Sequence, residues 1–346
     1  MEKSQKKLLF ISLGISIAVL FIVLLVTIDT NTFTALEKCI PAFLILSLGM
    51  HILSLVFWAF RIKLMCRSLG YKLSFFHCFN LVCSNMFIAA VTPSQIGGEP
   101  VRIYEIHKAG VPTGDATAVV IMERVFDGIV LAVGTVICIA LLGLLFREIH
   151  LPELCMITAY IAASVFGGLV ILFFIIARHP KWGYALMAKI SGFLTRKKSS
   201  EARTARLEKI EGHVRHFYAT LGHFTGKSKS AIAWGILFSV LYWFNEFIIS
   251  FFICLGLGVQ PTYELFLLSL IFQLLITVIM MIPLTPGGVG VAELSLSGFY
   301  ALIIPSSIVG IFVLIYRFIF FYFNLAVGFI ASMRIVRRES KTNKET

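Results

Sequence analysis

The sequence predicts an all-α polytopic membrane protein with about six full spans and two oppositely oriented re-entrant helical hairpins in an inverted repeat. Three observations lead to this fold class. Of 346 residues, 58% are hydrophobic and 14% are charged, and the mean hydropathy is +0.92. Long apolar runs recur along the chain, and two of them end in similar breaks rich in proline and glycine. Soluble domains are only about 45–50% apolar and about 25% charged, so a cytosolic enzyme, a secreted module and a disordered chain are excluded.

Six apolar runs are long enough to cross a bilayer core of ~30 Å at about 1.5 Å per residue. They cover residues 8–28, 41–60, 118–146, 156–177, 231–256 and 307–332. The first run is 21 residues long and has no small-residue cleavage site, so it is predicted to be a retained helix and not a signal peptide. A β-barrel would instead show alternating segments of about 10 residues.

Two further apolar regions, 75–91 and 263–283, end in breaks, and a shorter apolar piece, 294–304, follows the second. The first break contains Thr92, Pro93, Gly97 and Gly98, and the second contains Thr285, Pro286, Gly287, Gly288 and Gly290. The glycines allow close helix packing, and the break also exposes a helix N-terminus that favours anions. Both roles are expected.

Positive charge predicts which loops are cytoplasmic. Four segments are basic: the N-terminus, the loop after residue 60 with Arg61, the loop 178–230 and the C-terminal tail. The loop 178–230 holds 12 Lys and Arg against 3 Glu. The loop 147–155 has one Arg and two Glu and is predicted to lie outside. The regions 75–112 and 262–305 must then each return to the side from which they start, and they enter from opposite faces. Such hairpin tips are tolerated only inside protein or beside a watery cavity.

The two breaks are 193 residues apart, and the same offset relates other features. Run 41–60 maps onto 234–253, and Arg124 maps onto Arg317. We therefore predict one membrane domain, 1–346, with a first repeat unit at 41–146 and an inverted second unit at 231–333. A basic cytoplasmic connector, 178–230, joins them. Inverted repeats of this kind are found in many secondary transporters.

Ionisable groups inside apolar spans cost about 2.5–3.5 kcal/mol each on insertion scales and suggest a function. The candidate substrate-binding residues are Glu99, Arg102, Glu123, Arg124, Asp127, Glu293 and Arg317, and the secondary polar residues, which interrupt run 231–256, are Asn245 and Glu246. Arginines would hold an anionic group such as a lipid phosphate, and carboxylates would hold an amine, pair the arginines or carry a proton. The alternatives are a structural ion pair of Arg124 with Asp127 or Glu123, and snorkelling of Arg102 towards the inner surface.

The two breaks, the run Glu123-Arg124-Val125-Phe126-Asp127 and the late Arg317 together resemble the lysylphosphatidylglycerol synthase transmembrane (flippase-like) family. This family is the membrane domain of multiple peptide resistance factor and also occurs in stand-alone form. The resemblance covers roughly residues 8–335 and implies a phospholipid or lipid-linked substrate moved between leaflets. Full-length members carry a soluble aminoacyl-transferase domain after the membrane part. None is expected here, so synthase activity is not carried over.

The leading hypothesis is therefore a lipid translocase in the cell membrane, with both termini cytoplasmic. Two alternatives stay open: a small anionic-solute transporter, and a non-catalytic membrane partner of a lipid-modifying synthase. A third alternative is an intramembrane enzyme that uses Glu99, Glu123 or Asp127 as acid or base. The sequence contains none of the familiar catalytic motifs that would support it. Beyond the lipid, the partners considered are a second copy of the chain or a separate synthase. No cofactor, metal or nucleic acid is expected, because the cysteines show no CxxC spacing and the charge of +12 is explained by loops facing anionic lipid.

Overall fold

The structure is a computed structural model that describes residues 37–90, 97–145, 153–179, 215–222, 229–280 and 288–345, and the single residues 21, 92, 212 and 224. All regular structure within these residues is helical. Apart from Phe21, the predicted first span, 8–28, lies outside the described residues, as does most of the connector. The same holds for Pro93, Thr285, Pro286 and Gly287 of the two breaks.

The helices follow the predicted order of apolar runs. Helices α1 to α5 are Pro41–Ser68, Phe75–Ala90, Gly98–Lys108, Thr113–Leu145 and Glu153–Arg178. Helices α6 to α10 are Lys229–Gly256, Tyr263–Met280, Val291–Tyr300, Ser306–Arg317 and Phe323–Glu345, and a π-helical segment, Phe318–Tyr322, joins α9 to α10. Among the described residues, five stretches are long and apolar enough to cross a membrane: Pro41–Ser68, Thr113–Leu145, Ser230–Gly256, Tyr263–Met280 and Ser306–Ile335. The prediction of an all-α polytopic membrane protein is confirmed.

Helix α1 is longer than its apolar run. It starts with Pro41, which suits a first helical position because its missing N–H is not needed there. It ends at Ser68, just before Gly70, whose φ of +92° reverses the chain. The prediction that Arg61 lies in a loop after residue 60 is therefore wrong. Hydropathy marks the end of the apolar run, whereas the helical hydrogen bonds continue for two more turns.

The helices of the two predicted repeat units recur in order. Helices α1 and α6 begin at Pro41 and Lys229, 188 residues apart, and α4 and α9 begin at Thr113 and Ser306, 193 residues apart. Helix α1 packs extensively along α6, its counterpart at this offset. The opposite membrane orientation of the two units, and the re-entrant path of the hairpins, stay predictions.

Two hydrophobic cores lie on either side of the bundle. The first-half core is built mainly by α1, α2 and the first half of α4, with Ala59 and Ile62 fully buried. The second-half core is built by α6 to α9 and the second half of α4, with Phe272 and Phe312 fully buried. A small third cluster packs Ala90, Val289 and Phe321 together. It brings the end of α2, the glycine turn before α8 and the π-helical segment to one place between the two cores.

The end of the connector is docked against the first-half core. Phe224 is buried there, and the Thr220 hydroxyl donates a hydrogen bond to Asp115 Oδ1 (2.5 Å) in the first turn of α4. The Tyr71 hydroxyl donates to Asp115 Oδ2 (2.7 Å). Burial and this hydrogen bond raise the pKa of Tyr71 to about 12, so the phenol stays a donor at neutral pH. These contacts anchor the beginning of the helix that carries Glu123, Arg124 and Asp127.

Candidate functional site

A cavity of about 620 Å³ lies between the two cores. It is bounded by α1 to α7, α9, the π-helical segment and the start of α10. Its charged and amide-bearing lining residues are His51, Arg61, Asn85, Glu99, Arg124, Asp127, Glu246, Gln273, Arg317 and Asn324. Such a concentration of polar groups inside an apolar helical bundle is costly unless the groups pair with one another or with a ligand.

Arg61 lies at the centre of a polar cluster that joins α1, α4 and α6. Its side chain is 2% exposed, and its Nε donates to Glu123 Oε1 (3.0 Å) while its Nη1 donates to Asp127 Oδ1 (2.6 Å). Nη1 also donates to the Ser239 hydroxyl (2.6 Å). Glu123 and Asp127 are four residues apart on α4 and so share one face of the helix. One guanidinium from α1 therefore bridges both carboxylates of that face.

Glu123 is enclosed by donors. Besides Arg61, it accepts hydrogen bonds from Trp58 Nε1 (3.0 Å) and from Arg102 Nη1 (2.8 Å). Arg102 is fully buried, with its guanidinium carbon 5.2 Å from the centre of the Trp58 ring. The alternative that Arg102 snorkels to the inner surface is therefore wrong, because a snorkelling side chain keeps its charge in water. The Nε and Nη2 atoms of Arg102 have no hydrogen-bond partner among the described residues.

Arg124 and Glu99 form the exposed part of this cluster. Arg124 Nε lies 3.1 Å from Glu99 Oε1, and the two side chains are 40% and 39% exposed. Arg124 Nη1 also lies 3.5 Å from Asp127 Oδ2, while Trp243 Nε1 donates to Asp127 Oδ1 (3.1 Å). Of the two ion pairs considered for Arg124, the structure contains the one with Asp127; Glu123 is instead held by Arg61 and Arg102.

A second ion pair lies in the other half of the molecule. Arg317 Nε lies 3.0 Å from Glu293 Oε1, and both side chains are buried. Glu293 Oε2 accepts the N–H of Gly290 (2.7 Å), which caps the start of α8. Gly290 has a φ of +84°, a conformation that glycine adopts without strain. The Arg317 guanidinium stacks over the Phe321 ring at 4.2 Å, a cation–π contact from the π-helical segment.

The ion pairs Glu99–Arg124 and Glu293–Arg317 are built alike. Glu99 lies in the first turn of α3 and Glu293 in the first turn of α8, and each faces an arginine of the following long helix. Arg124 and Arg317 are the residues related by the offset of 193. The pairs differ in access to water, because the first is half-exposed and the second is closed.

A third polar group joins α1, α6 and α10. His51 Nδ1 lies 3.0 Å from Glu246 Oε1, and His51 Nε2 lies 2.9 Å from Asn324 Oδ1. Asn245 does not line the cavity. Its Nδ2 donates to the Met50 carbonyl oxygen (2.6 Å) and to the Ser54 hydroxyl (2.7 Å), which ties α6 to α1. Also in the cavity lining, the Gln273 amide of α7 donates to the Tyr316 hydroxyl of α9.

The glycines of the first break allow close packing. The N–H of Gly97 donates to Thr92 Oγ1 (3.2 Å), and a methyl group at this position would collide with the Thr92 side chain. A methyl group at Gly98 would collide with Asn85 of α2. In the second break, Gly288 has a φ of +67°. Anion binding at these helix starts stays a prediction.

The structure thus divides the predicted site residues into two sets. Glu99, Arg124, Asp127, Glu246 and Arg317 line the cavity. Arg102, Glu123, Glu293 and Asn245 lie behind this lining and hold it in place.

Sequence reasoning missed five charged or amide-bearing residues that also line the cavity: His51, Arg61, Asn85, Gln273 and Asn324. Arg61 comes directly after an apolar run, where a basic residue is typical of a cytoplasmic loop and gives no signal of a site. His51 lies in the middle of run 41–60, where an ionisable side chain was a usable signal.

The apolar helices and the charged cavity between them define a polytopic α-helical membrane protein. Within that class, the chain belongs to the family described as the Lysylphosphatidylglycerol synthase TM region, whose family model matches residues 9–328. The resemblance found in the sequence is confirmed.

Several archaeal proteins are similar to the chain over most of their length. A UPF0104 membrane protein of Archaeoglobus fulgidus is 28% identical over 335 residues, which are 93% of this chain and 95% of that protein. UPF0104 membrane proteins of Methanocaldococcus jannaschii and Pyrococcus horikoshii are 28% and 27% identical, over 88% and 86% of this chain and 88% and 87% of their own. The names of these relatives describe them as membrane proteins and give no activity.

Proposed function

We propose that the protein is a lipid translocase that moves a phospholipid or a lipid-linked anionic or aminoacylated headgroup between membrane leaflets. One observation carries the proposal. The Arg124–Glu99 pair remains about 40% exposed at a cavity of about 620 Å³, whereas Arg61, Glu123 and Asp127 beside it are buried and paired. An accessible cation and an accessible anion, 3.1 Å apart inside an apolar bundle, form a place where a headgroup can exchange partners with the protein.

The chemistry of this pair suits a lipid headgroup. A guanidinium such as that of Arg124 binds phosphate through two parallel hydrogen bonds. Glu99 beside it can accept the amine of an aminoacyl group or of a zwitterionic headgroup. Ligand pockets are about 300–1,000 Å³ in volume, so a cavity of about 620 Å³ accommodates a headgroup while the acyl chains stay in the bilayer.

The partners of the carboxylates favour transport over catalysis. Glu123 accepts hydrogen bonds from Trp58, Arg61 and Arg102, and Asp127 accepts from Arg61 and Trp243. Each is held as an ionised acceptor, whereas a general acid or base must exchange a proton with the substrate. We therefore infer that Glu123 and Asp127 position the arginines of the site and do not act as acid or base. The translocase is proposed to lie in the cell membrane with both termini in the cytoplasm.

A leaflet-exchange assay on purified protein in liposomes tests the proposal. Labelled anionic and aminoacylated phospholipids are compared for the wild type, Arg124→Ala and Asp127→Asn. A hydrogen bond to a charged group contributes about 1.5–3 kcal/mol, so Arg124→Ala should exchange lipid roughly 10- to 150-fold more slowly. Asp127→Asn should also slow exchange, because it removes a charge that orients Arg124. Arg67→Ala is the matched control, because Arg67 is an exposed arginine in the last turn of α1 and does not line the cavity.

Absence of exchange for every lipid, with folded and monodisperse wild-type protein, would contradict the proposal. Uptake of a soluble anion by the same liposomes would then favour the small-solute transporter. If Arg67→Ala slows exchange as much as Arg124→Ala does, the cavity is not the site.

A further inference from the structure

Both ring nitrogens of His51 face hydrogen-bond acceptors. Nδ1 lies 3.0 Å from Glu246 Oε1, and Nε2 lies 2.9 Å from Asn324 Oδ1. The orientation of the Asn324 amide follows from its other hydrogen bond, because its Nδ2 donates to the Phe320 carbonyl oxygen (2.9 Å). A neutral imidazole has one donor and one acceptor nitrogen, so it cannot satisfy a carboxylate and an amide oxygen together.

The pair His51–Glu246 therefore holds one proton more than a neutral imidazole and a carboxylate would hold. Two arrangements meet the geometry: an imidazolium beside a carboxylate, or an imidazole that accepts a hydrogen bond from a carboxylic acid at Nδ1 and donates from Nε2. The two have the same number of protons and the same total charge of zero. The His51 side chain is 1% exposed and both its ring nitrogens already lie against acceptors, so no water molecule supplies the missing donor there, whereas the Glu246 side chain is 10% exposed and lines the cavity.

The charges around the cavity lead to the same proton count. The described arginines in its wall or directly behind it are Arg61, Arg102, Arg124 and Arg317. The described carboxylates are Glu99, Glu123, Asp127, Glu246 and Glu293. Five carboxylates against four arginines leave one negative charge, and the ion pairs assign it to Glu246, which lies against His51 and not against an arginine among the described residues. One proton on this pair makes the set neutral, as a low-dielectric interior favours.

We propose that the His51–Glu246 pair is a proton-binding site, occupied in the conformation described here, and that binding and release of its proton are coupled to lipid movement. The coupling rests on the proposed function; the proton site does not. Intramembrane His and Glu chains are common as proton relays. The charged and titratable groups that line the same cavity from the surrounding elements are Arg61 on α1, Glu99 on α3, Arg124 and Asp127 on α4, Tyr242 on α6, and Tyr316 and Arg317 on α9.

Proton release has a structural consequence. When the proton passes to water in the cavity, one ring nitrogen of His51 is left with a lone pair that faces a hydrogen-bond acceptor. Glu246 then carries a negative charge that no positive charge on His51 compensates. The contact that joins α1, α6 and α10 is thereby weakened. Asn324 lies two residues after the end of the π-helical segment, and Phe320 of this segment lies against His51, with ring centres 4.8 Å apart. The protonation state of the pair can therefore act on the segment that also carries Phe321, the cation–π partner of Arg317.

The first experiment measures lipid exchange against pH in liposomes that contain labelled anionic phospholipid. The wild type is compared with Glu246→Gln and His51→Gln between about pH 5 and about pH 8, the range in which histidine commonly titrates. Glu264→Gln is the matched control, since Glu264 is an exposed carboxylate at the start of α7 and outside the cavity. Wild type and Glu264→Gln should change rate by up to about tenfold per pH unit on the limb where the proton is lost. Glu246→Gln and His51→Gln should lose this dependence.

The second experiment measures the protonation of the His51–Glu246 pair without measuring transport. The protonation of both His51 ring nitrogens is followed by nitrogen NMR of purified protein, and the Glu246 carboxyl by infrared spectroscopy. One proton should leave the pair as the pH rises in the wild type, and this signal should disappear in Glu246→Gln.

The outcomes separate the two proposals. Lipid exchange that is independent of pH in the wild type would overturn the coupling. If no lipid exchanges at all, the proposed function fails, and the spectra decide the proton site alone. A pair that carries no extra proton in the folded wild type would overturn the site.

Discussion

Two arginines contact the same carboxylate in very different surroundings. Arg61 and Arg124 both lie against Asp127, but the Arg61 side chain is 2% exposed and that of Arg124 is 40% exposed. Removing one partner of a buried ion pair leaves an uncompensated charge and costs about 3–5 kcal/mol, whereas exposed pairs contribute about 0–1 kcal/mol. Burial therefore predicts that Arg61 supports the fold and that Arg124 is available to a ligand.

This contrast can be measured as a difference in the free energy of unfolding between variants. We expect Arg61→Met to lower the free energy of unfolding by about 3–5 kcal/mol, because Glu123 and Asp127 then share fewer donors. Arg124→Gln should lower it by about 1 kcal/mol or less. Denaturant unfolding of the purified protein in detergent measures both, with Arg67→Met as an exposed control. Equal losses for the Arg61 and Arg124 variants would contradict the assignment of roles.

Among the helices, the packing of α10 against α2 depends on small residues. The Ser84 and Ser332 hydroxyls share a hydrogen bond (2.8 Å) across this contact. Gly328 lies one turn before Ser332, and a methyl group there would collide with the Cys83 carbonyl oxygen and with Phe87 of α2. Since the obstacle includes backbone, the helices would have to move apart. This contact positions both the end of α2 and the start of α10, which carries Asn324.

We expect Gly328→Ala to destabilise the protein by about 1–3 kcal/mol, the usual effect of an overpacked contact. Gly298→Ala is the matched control, because Gly298 also lies within a helix but has open space around its position. There, the better helix propensity of alanine should leave stability unchanged or raise it by up to about 1 kcal/mol. Thermal unfolding in detergent compares the two, and a Gly328→Ala variant as stable as the control would refute the close contact.

For the molecule as a whole, apolar runs predicted the order of the helices well, because the hydropathy of a span is a local property of the sequence. They did not predict where α1 ends, since polar residues such as Arg61 continue a helix beyond its apolar run. Nor could they predict partners. His51 and Glu246 are 195 residues apart, and Arg61 and Glu123 are 62 apart, so both contacts depend on how whole helices rotate against one another. The charges of the site and the local pair Arg124–Asp127, three residues apart on one helix, were visible in the sequence, whereas the pairings between distant helices were not.

The inverted repeat makes a prediction about the whole molecule that neither sequence nor helix order can test. If the two units have opposite orientations, then Lys108 and Ala301, which are related by the offset of 193, face opposite sides of the membrane. Both are exposed residues at the ends of α3 and α8. In vesicles of known orientation, a membrane-impermeant maleimide should label Lys108→Cys from the cytoplasmic side and Ala301→Cys from the outside. Cys39 and Cys155 are first replaced by serine, while Cys66, Cys78, Cys83, Cys138 and Cys254 are buried and can remain. Labelling of both positions from one side would contradict the inverted repeat, because the helices α3 and α8 would then end on the same side of the membrane.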